Sequence, residues 1–174
     1  SSYGDNPIAI ARAGNVIGGG DFADNRLLPD LINSFIKNKQ PKLRYPESIR
    51  PWQHVLDCLN GYLILIDKQI DESVNGEWNF SPPASPTHTV AEVATLAAKF
   101  WGSEQNWIPD SIAHKSETDM LILDSSKARK ELNWSEKLSF EESISWTVDF
   151  YKEVNSGKNQ RSVLETQINK YQSL

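Results

Sequence analysis

The glycine-rich stretch "ARAGNVIGGGDFADNRLLPDL", at positions 11–31, carries the residues best suited to bind a ligand. Four glycines stand between positions 14 and 20, with Asn15 among them and Arg26 after them. Glycine allows a backbone to approach a ligand closely and to adopt a positive φ. An asparagine amide donates hydrogen bonds to phosphate oxygens. The stretch is therefore a candidate phosphate site, a candidate loop over a substrate, or only a turn between a strand and a helix.

The standard motifs for cofactor, nucleophile and metal chemistry are absent from the sequence. The glycines do not follow the pattern G-x-G-x-x-G, no Gly-Lys-Ser/Thr follows them, and Gly-x-Ser-x-Gly does not occur. His54, His88 and His114 are far apart, and no pair of cysteines exists, so the spacing predicts no zinc site. Apolar neighbours predict that the single cysteine, Cys58, is buried rather than nucleophilic, and its solitude fits a reducing cytosol.

Arg50 is a further candidate for an anion ligand. It precedes Pro51, and a residue before proline is biased towards an extended backbone. A guanidinium held there could bind a diphosphate through a bidentate fork. The alternative is that the glycines only turn the chain and that Arg50 pairs with a surface acid. Residue types alone favour this second, structural interpretation.

Composition and charge limit the classes of partner. The chain has 174 residues, a length that suits one domain or one lobe of a larger protein. Its formal net charge of -5, with scattered basic residues, argues against a general affinity for nucleic acid or anionic membranes. No apolar run has the length of a membrane span, the longest being "GYLILI" at 61–66. Any anion site is therefore expected to be local.

Hydrophobic periodicity predicts a mixed α and β chain. The predicted helices cover 26–38, a segment from about Asp57 to Gln69, 90–101, 124–132 and 140–154, with a short helix in the last stretch. The predicted strands or extended segments cover 7–13, 42–45, 48–55, 76–81 and 119–123. In the second helix, the residues expected to face the core are Leu56, Leu59, Leu63 and Ile66. A lone strand at the start, with no similar partner beside it, predicts that the chain is the C-terminal part of a longer protein.

Three stretches together closely resemble the C-terminal half of the CDP-glucose 4,6-dehydratases, nucleotide-sugar enzymes of the extended short-chain dehydrogenase/reductase family. They are "RAGNVIGGGDFADNRLLPDL" (12–31), "IRPWQHVLDCLNGYL" (49–63) and "LDSSKARKELNWSEKLSFEESISWTVDFY" (123–151). The resemblance implies an α/β fold, namely the substrate-binding lobe with the last elements of the Rossmann domain. It places this lobe at 1–155 and leaves a polar break and a C-terminal tail at 156–174.

The resemblance implies which residues bind a sugar nucleotide. Asn15 and Arg50 match positions that contact the diphosphate, and His114 lies where many relatives carry a phosphate-binding arginine. The segment expected to close on the base and ribose contains Arg26 and Leu28. The short strand that carries Leu43 and Arg44 matches the one whose backbone lines the base.

The resemblance also implies a cofactor, NAD, whose nicotinamide would pass the backbone of Ala13 and Gly14. The family's catalytic Tyr-x-x-x-Lys is missing, because no tyrosine of this chain has a lysine four residues later. The family's N-terminal glycine fingerprint is missing too. The chain alone is therefore expected neither to bind NAD tightly nor to turn over substrate.

The activity implied for the parent protein is that of a hydro-lyase of deoxysugar biosynthesis, such as that of O-antigens, converting CDP-glucose to CDP-4-keto-6-deoxyglucose with bound NAD. The implied partner is a CDP-sugar, with no nucleic acid and no membrane, in a cytoplasmic homodimer or homotetramer. Two alternatives stay open: an epimerase or decarboxylase of the same superfamily that acts on a UDP or GDP sugar, and a stand-alone sugar-nucleotide-binding domain. The "RPWQHV" stretch argues against the first.

Overall fold

The computed structural model describes residues 7–111 and 118–174, and within them helices and short strands alternate along the chain. The helices are α1 (Leu27–Ile36), α2 (Val55–Glu72), α3 (Val90–Trp101), α4 (Ser126–Leu132), α5 (Phe140–Asn155) and α6 (Gln160–Gln172). The strands are β1 (Ala9–Ala13), β2 (Asn15–Ile17), β3 (Lys42–Leu43), β4 (Ile49–Arg50), β5 (Trp52–His54), β6 (Gly76–Phe80), β7 (His88–Thr89) and β8 (Ile108–Pro109). The predicted α/β class is confirmed.

The strands pair two by two instead of forming one wide sheet. β1 pairs with β6, β2 with β5 and β3 with β8, all in parallel, whereas β4 and β7 are antiparallel. Gly14 lies where the chain leaves the first pair and enters the second. A Cβ on Gly14 would stand 2.5 Å from the Pro51 Cγ, so only glycine fits this crossing. The Asn15 main-chain N–H donates to the Pro51 carbonyl there at 3.1 Å.

The other glycines of the stretch serve packing more than ligand approach. A Cβ on Gly18 would stand 2.5 Å from the Val55 Cγ1, and one on Gly19 would stand 2.2 Å from the Phe150 Cγ. Gly20 alone of the group has a positive φ, at 90°, and open space around it. The absence of side chains at Gly18 and Gly19 therefore brings this segment against α2 and α5.

The hydrophobic core has two main parts and a small third one. The first part involves α1, α3 and α5 with β2 and β5, and its most buried side chains include Leu31, Ile32, Val93, Ala97, Ile144, Val148 and Phe150. The second part joins the β1–β6 pair to α2 and α4, and contains Leu65, Trp78, Phe80, Ala128, Leu132 and Trp134. The third consists of Leu138, Trp146 and Tyr171, with Leu56 against it.

The face of α2 that packs inward differs from the prediction. Leu56 is partly buried, but the side chains of Leu59, Leu63 and Ile66 are 48%, 61% and 52% exposed. The helix carries a second stripe with small residues, which buries Cys58, Gly61 and Leu65. At Gly61 an added Cβ would stand 2.3 Å from the Phe80 ring, so this stripe lets α2 approach the sheet closely. Small residues, not the largest ones, decide which stripe of α2 is buried.

Three shorter segments also depart from the predictions. The predicted strand at 119–123 is wrong: Met120 forms only an isolated bridge with Ile49. The strand predicted at 42–45 covers only β3, and β2 forms within the stretch that was expected to be a loop. These strands are two or three residues long, too short for alternation to define their bounds.

The C-terminal stretch forms a packed helix. The Asn159 side chain accepts from the Ser162 amide and caps α6, as expected for an asparagine N-cap. Val163 and Tyr171 are buried, in the first and the third core clusters. The helix predicted for this stretch is therefore present, and it is packed at both ends.

Candidate functional site

A cleft of about 750 Å³ gathers the predicted binding residues. Its lining includes every one of them that falls within the described residues: Ala13, Gly14, Asn15, Arg26, Leu28, Leu43, Arg44 and Arg50. The prediction for His114 lies outside the described residues. The cleft opens at the carboxyl end of β1, and such ends are where α/β proteins commonly bind ligands.

Strand pairing places Asn15 beside the segment that carries Arg50. In the parallel pair of β2 and β5, Asn15 stands opposite Trp52. Arg50 lies two residues before Trp52, with Pro51 between them. Main-chain hydrogen bonds hold these two segments beside each other. The Asn15 side-chain amide and the Arg50 guanidinium therefore line the cleft from adjacent segments, and no loop has to move to bring them there.

Arg50 is buried and held by the main chain, with 9% of its surface exposed. Its Nη1 donates to the Ile49 carbonyl at 2.8 Å and lies 3.4 Å from the Asp119 carbonyl. A guanidinium fixed in this way loses little conformational entropy when it binds an anion.

The outer wall of the cleft carries exposed cations. Arg26, the N-cap residue of α1, is exposed and lies 4.0 Å from the Asp21 carboxylate. Lys42 and Arg44 are exposed on and after β3. Partial burial raises the pKa of Asp30, and the nearby charge of Arg44 acts in the opposite direction. The N-terminus of α1 has no side-chain cap, so its positive end adds to the potential at the cleft.

Leu28 and Leu43 contribute to the cleft from the core side. Each is 3% exposed and belongs to the first core cluster. Their side chains are therefore occupied by packing, and mainly backbone atoms remain to face a ligand. The expected role of this strand in lining a base stays a prediction.

A second cavity of about 350 Å³ adjoins the cleft and was not predicted from the sequence. It shares Arg50, Trp52 and Leu121 with the cleft, and its outer wall includes the proline loop at 82–86 and Phe140. The prolines signalled a loop in the sequence, but nothing in their spacing indicated a cavity.

Trp52 and its neighbours pack in the interior. Trp52 and Gln53 are 8% and 2% exposed, and Trp52 belongs to the first core cluster. His54 is 1% exposed and its ring meets the Trp146 ring edge-on, with centroids 6.0 Å apart. The His54 Nδ1 also accepts from the Leu56 amide at 3.3 Å and so caps α2. Trp52 contributes to the cleft wall, whereas His54 is a structural residue.

Acid should destabilise the protein through His54. Burial lowers the pKa of this imidazole to about 4, against 6.5 for the unperturbed group. The folded state therefore holds a neutral imidazole that the unfolded chain protonates more readily. Relative to its value above pH 6.5, the free energy of unfolding therefore falls by about 3 kcal/mol as the pH falls to 4.

Urea unfolding of the wild type and of a His54→Asn variant, at pH 7 and pH 4, measures this effect. Asparagine keeps an acceptor for the Leu56 amide but does not titrate in this range. The unfolding free energy of the wild type minus that of the variant should be about 2 to 3 kcal/mol lower at pH 4 than at pH 7. A difference that is the same at both pH values would contradict the burial of a neutral imidazole. The titration of Asp57, which is present in both proteins, cancels in the comparison.

Three buried or half-buried tyrosines, Tyr62, Tyr151 and Tyr171, are poor candidates for a catalytic base. Burial raises the pKa of Tyr62 and of Tyr151 to about 12, and raises that of Tyr171 as well. A tyrosine that removes a proton at neutral pH needs the opposite shift. The Tyr151 hydroxyl donates to the Asp21 carbonyl, and the Tyr171 hydroxyl to the Asp57 carboxylate. These three tyrosines have structural roles.

The described parts of the chain offer neither a metal cluster nor a membrane span. Among residues 7–111 and 118–174, no group of three or more histidine, cysteine, aspartate and glutamate side chains could hold a metal ion. Cys58 is buried, and burial raises the pKa of its thiol. In the same ranges no helix combines the length and apolarity needed to cross a membrane.

The sequence comparison finds a curated relative along nearly the whole chain. The chain is 37% identical over 168 residues to a CDP-glucose 4,6-dehydratase of Salmonella typhimurium, with 95% of this chain and 47% of the relative covered. No family model matches the chain. The predicted resemblance is confirmed. The chain spans about half the length of the curated relative that it matches.

Solved structures show that the fold is that of part of an extended short-chain dehydrogenase/reductase. UDP-glucuronic acid 4-epimerase of Bacillus cereus, crystallised with NAD and a fluorinated substrate analogue, superposes with a TM-score of 0.73 at 18% identity, over 85% of this chain and 46% of its own. UDP-glucose 4-epimerase of Thermotoga maritima, with UDP-glucose, gives 0.73 at 20% identity, over 84% and 46%. The dTDP-glucose 4,6-dehydratase of Bacillus anthracis, with NAD, gives 0.68 at 20% identity, over 86% and 46%.

Proposed function

We propose that this chain is the sugar-nucleotide-binding part of an NAD-dependent CDP-glucose 4,6-dehydratase, a hydro-lyase that makes CDP-4-keto-6-deoxyglucose. The observation that carries the proposal is that one cleft collects the eight described residues that were assigned from the resemblance. The identity of 37% to a CDP-glucose 4,6-dehydratase supports the choice of nucleotide and sugar.

The cleft has the polarity that a sugar diphosphate needs. A buried guanidinium, Arg50, and the Asn15 amide would hold the diphosphate through charge-assisted and neutral hydrogen bonds. The exposed Arg26 and Arg44 would attract the anion and close over it. The backbone at Leu43 would line the cytosine. This combination of a few fixed donors and an apolar wall suits an anionic ligand with a neutral hexose.

The role of this chain in the reaction would be to position the hexose. In the proposed reaction, C4 is oxidised, water is eliminated across C5 and C6, and hydride returns to C6. NAD, when bound, would accept that hydride from C4 and return it to C6. Ala13 and Gly14 fit one wall of such a site, because the small or absent side chains at the carboxyl end of β1 allow a flat ring to approach the backbone. Holding the hexose in one orientation lowers the entropic part of the barrier.

The catalytic groups would come from a second, Rossmann half that docks on exposed apolar surfaces of this chain. Exposed large side chains lie on one face of α2 and at the start of β1. They are between 42% and 73% exposed: Leu59, Leu63, Ile66 and Ile70 on α2, Ile10 on β1, and Ile8 just before it. Parallel sheets are normally covered on both faces.

We expect the chain alone to be inactive. We expect the parent protein to be a cytoplasmic homodimer or homotetramer, with the substrate lobe at 1–155 and the tail at 156–174.

Thermal shift with four nucleotide sugars tests the ligand class. CDP-glucose should stabilise the protein, and UDP-, dTDP- and GDP-glucose should do so less. A larger shift with UDP-glucose would favour the alternative of an epimerase that acts on a UDP sugar.

An assay of the chain joined to its Rossmann half tests the reaction. With CDP-glucose and NAD it should produce the ultraviolet absorbance of a 4-keto sugar, and the chain alone should not. Binding of CDP-glucose without any product from the joined protein would instead favour a sugar-nucleotide-binding domain without catalysis.

A further inference from the structure

The C-terminal helix α6 is tied by a buried hydrogen bond to the first turn of α2. The Tyr171 hydroxyl donates to the Asp57 Oδ1 at 2.7 Å, and Asp57 is fully buried. The same carboxylate accepts from the amides of Lys137 at 2.7 Å and Leu138 at 3.4 Å. A buried carboxylate with three donors has little freedom to rotate, because each lost partner leaves an oxygen without compensation. Asp57 therefore fixes the start of α2 relative to α6.

A second set of contacts links α6 to the strand just before α2. The Gln167 Nε2 donates to the Trp146 carbonyl at 2.7 Å, and the Lys170 Nζ lies 4.3 Å from the centre of the Trp146 ring. Trp146 in turn packs edge-on against His54, the last residue of β5. The two routes from α6 thus converge on the junction of β5 and α2, through His54 and through Asp57.

β5 is the element that sets the inner wall of the cleft. Its first residue, Trp52, lines the cleft and stands opposite Asn15 in the β2–β5 pair. Arg50 is connected to Trp52 by Pro51 alone, so a displacement of β5 moves both of the groups assigned to the diphosphate. Neither Tyr171 nor Gln167 lines the cleft.

We propose that α6 is a positioning element of the nucleotide site, in which Tyr171 and Gln167 act through β5 on Asn15 and Arg50. This inference rests on the proposed function, since it assigns α6 to the same cleft. Hydrogen bonds to a diphosphate depend steeply on distance and angle, so a small shift of β5 weakens binding without removing any ligand-contacting group.

A Tyr171→Phe variant tests the first route, because it removes the hydroxyl and keeps the ring. At a temperature at which circular dichroism shows the variant to be folded, the Kd for CDP measured by calorimetry should rise by at least about fivefold. Amide hydrogen exchange of peptides that cover 15–17 and 50–57 should be faster. An Arg161→Gln variant is the matched control on α6, since it breaks only the exposed pair with Glu165 at 2.8 Å, and should leave both measurements unchanged.

A Val163→Ala variant separates positioning from stability. It weakens the apolar packing of α6 but keeps both routes. If it lowers the melting temperature as much as Tyr171→Phe does and leaves the Kd for CDP unchanged, the positioning role is supported. If Tyr171→Phe lowers the melting temperature but leaves the Kd and the exchange at 50–57 unchanged, α6 is only structural and the inference is overturned.

Two further results remain informative. If Tyr171→Phe does not fold, a Gln167→Leu variant applies the same criteria to the second route. If the wild-type protein binds no nucleotide, the proposed function fails, and the exchange comparison alone decides whether α6 fixes β5: faster exchange at 50–57 supports the link, and unchanged exchange overturns it.

Discussion

Replacing Arg50 by alanine should strongly weaken the binding of CDP to the cleft. The guanidinium is the most buried cation of the site and is held by the Ile49 carbonyl. Charge-assisted hydrogen bonds contribute about 2 to 3 kcal/mol, so the Kd measured by calorimetry should rise by about 30- to 150-fold. An Arg50→Lys variant keeps the charge but not the fork, and should weaken binding by about tenfold.

Arg12→Ala provides the control for this prediction. Arg12 is an exposed arginine on β1 that pairs with Glu77 and does not line the cleft. Its loss should leave the Kd for CDP unchanged. Melting temperatures of all three variants establish that the folded protein is being compared. Equal affinity of the wild type and a folded Arg50→Ala protein would remove Arg50 from the site.

Replacing Gly19 by alanine should cost about 3 kcal/mol of unfolding free energy, because an overpacked core must move to make room. The added Cβ would stand 2.2 Å from the Phe150 Cγ and 2.7 Å from its Cβ. Phe150 is fully buried in α5 and cannot turn away without disturbing the first core cluster. Urea unfolding at neutral pH measures the loss.

Gly20→Asn is the matched control one residue further along. Gly20 has a φ of 90° but nothing within 4 Å of an added Cβ, and asparagine tolerates positive φ better than most residues. The expected loss is below about 1 kcal/mol. If the two variants were equally stable, the packing role of Gly19 would be wrong. If Gly19→Ala kept full stability but lost CDP affinity, the segment would be a ligand loop after all.

Local signals in the sequence predicted much of the fold. Thr89 with Glu92, and Ser139 with Glu142, form the two predicted capping boxes and begin α3 and α5 at the expected residues. Pro29 lies in the first turn of α1, as its missing amide requires. These features depend on residues within one turn of each other, so the sequence contains them directly.

Features that depend on residues far apart in the chain were not predictable in the same way. Two apolar stripes coexist on α2, and the buried one is selected by the contact of Gly61 with Phe80 on another element. The bond between Asp57 and Tyr171 joins positions 114 residues apart, and no local pattern indicates it.

The candidate site shows the same limit. Residue types favoured a structural role for Arg50, and only the resemblance grouped it with Asn15 and Leu43. The glycine-rich stretch was a candidate phosphate loop, yet Gly18 and Gly19 pack against Val55 and Phe150. Its part in the site is to carry Asn15 into the cleft through β2.

A two-dimensional NMR titration of the isotopically labelled chain with CDP tests most directly whether this cleft is the nucleotide site. Saturable shifts should appear at the Asn15 side-chain amide, the backbone amides of Leu43 and Arg44, and the Arg50 Nε–H. Residues of the second cavity away from the shared wall, such as Ala84, should not shift. Shifts confined to the second cavity, or no shifts in a folded protein at millimolar CDP, would contradict the assignment of the cleft.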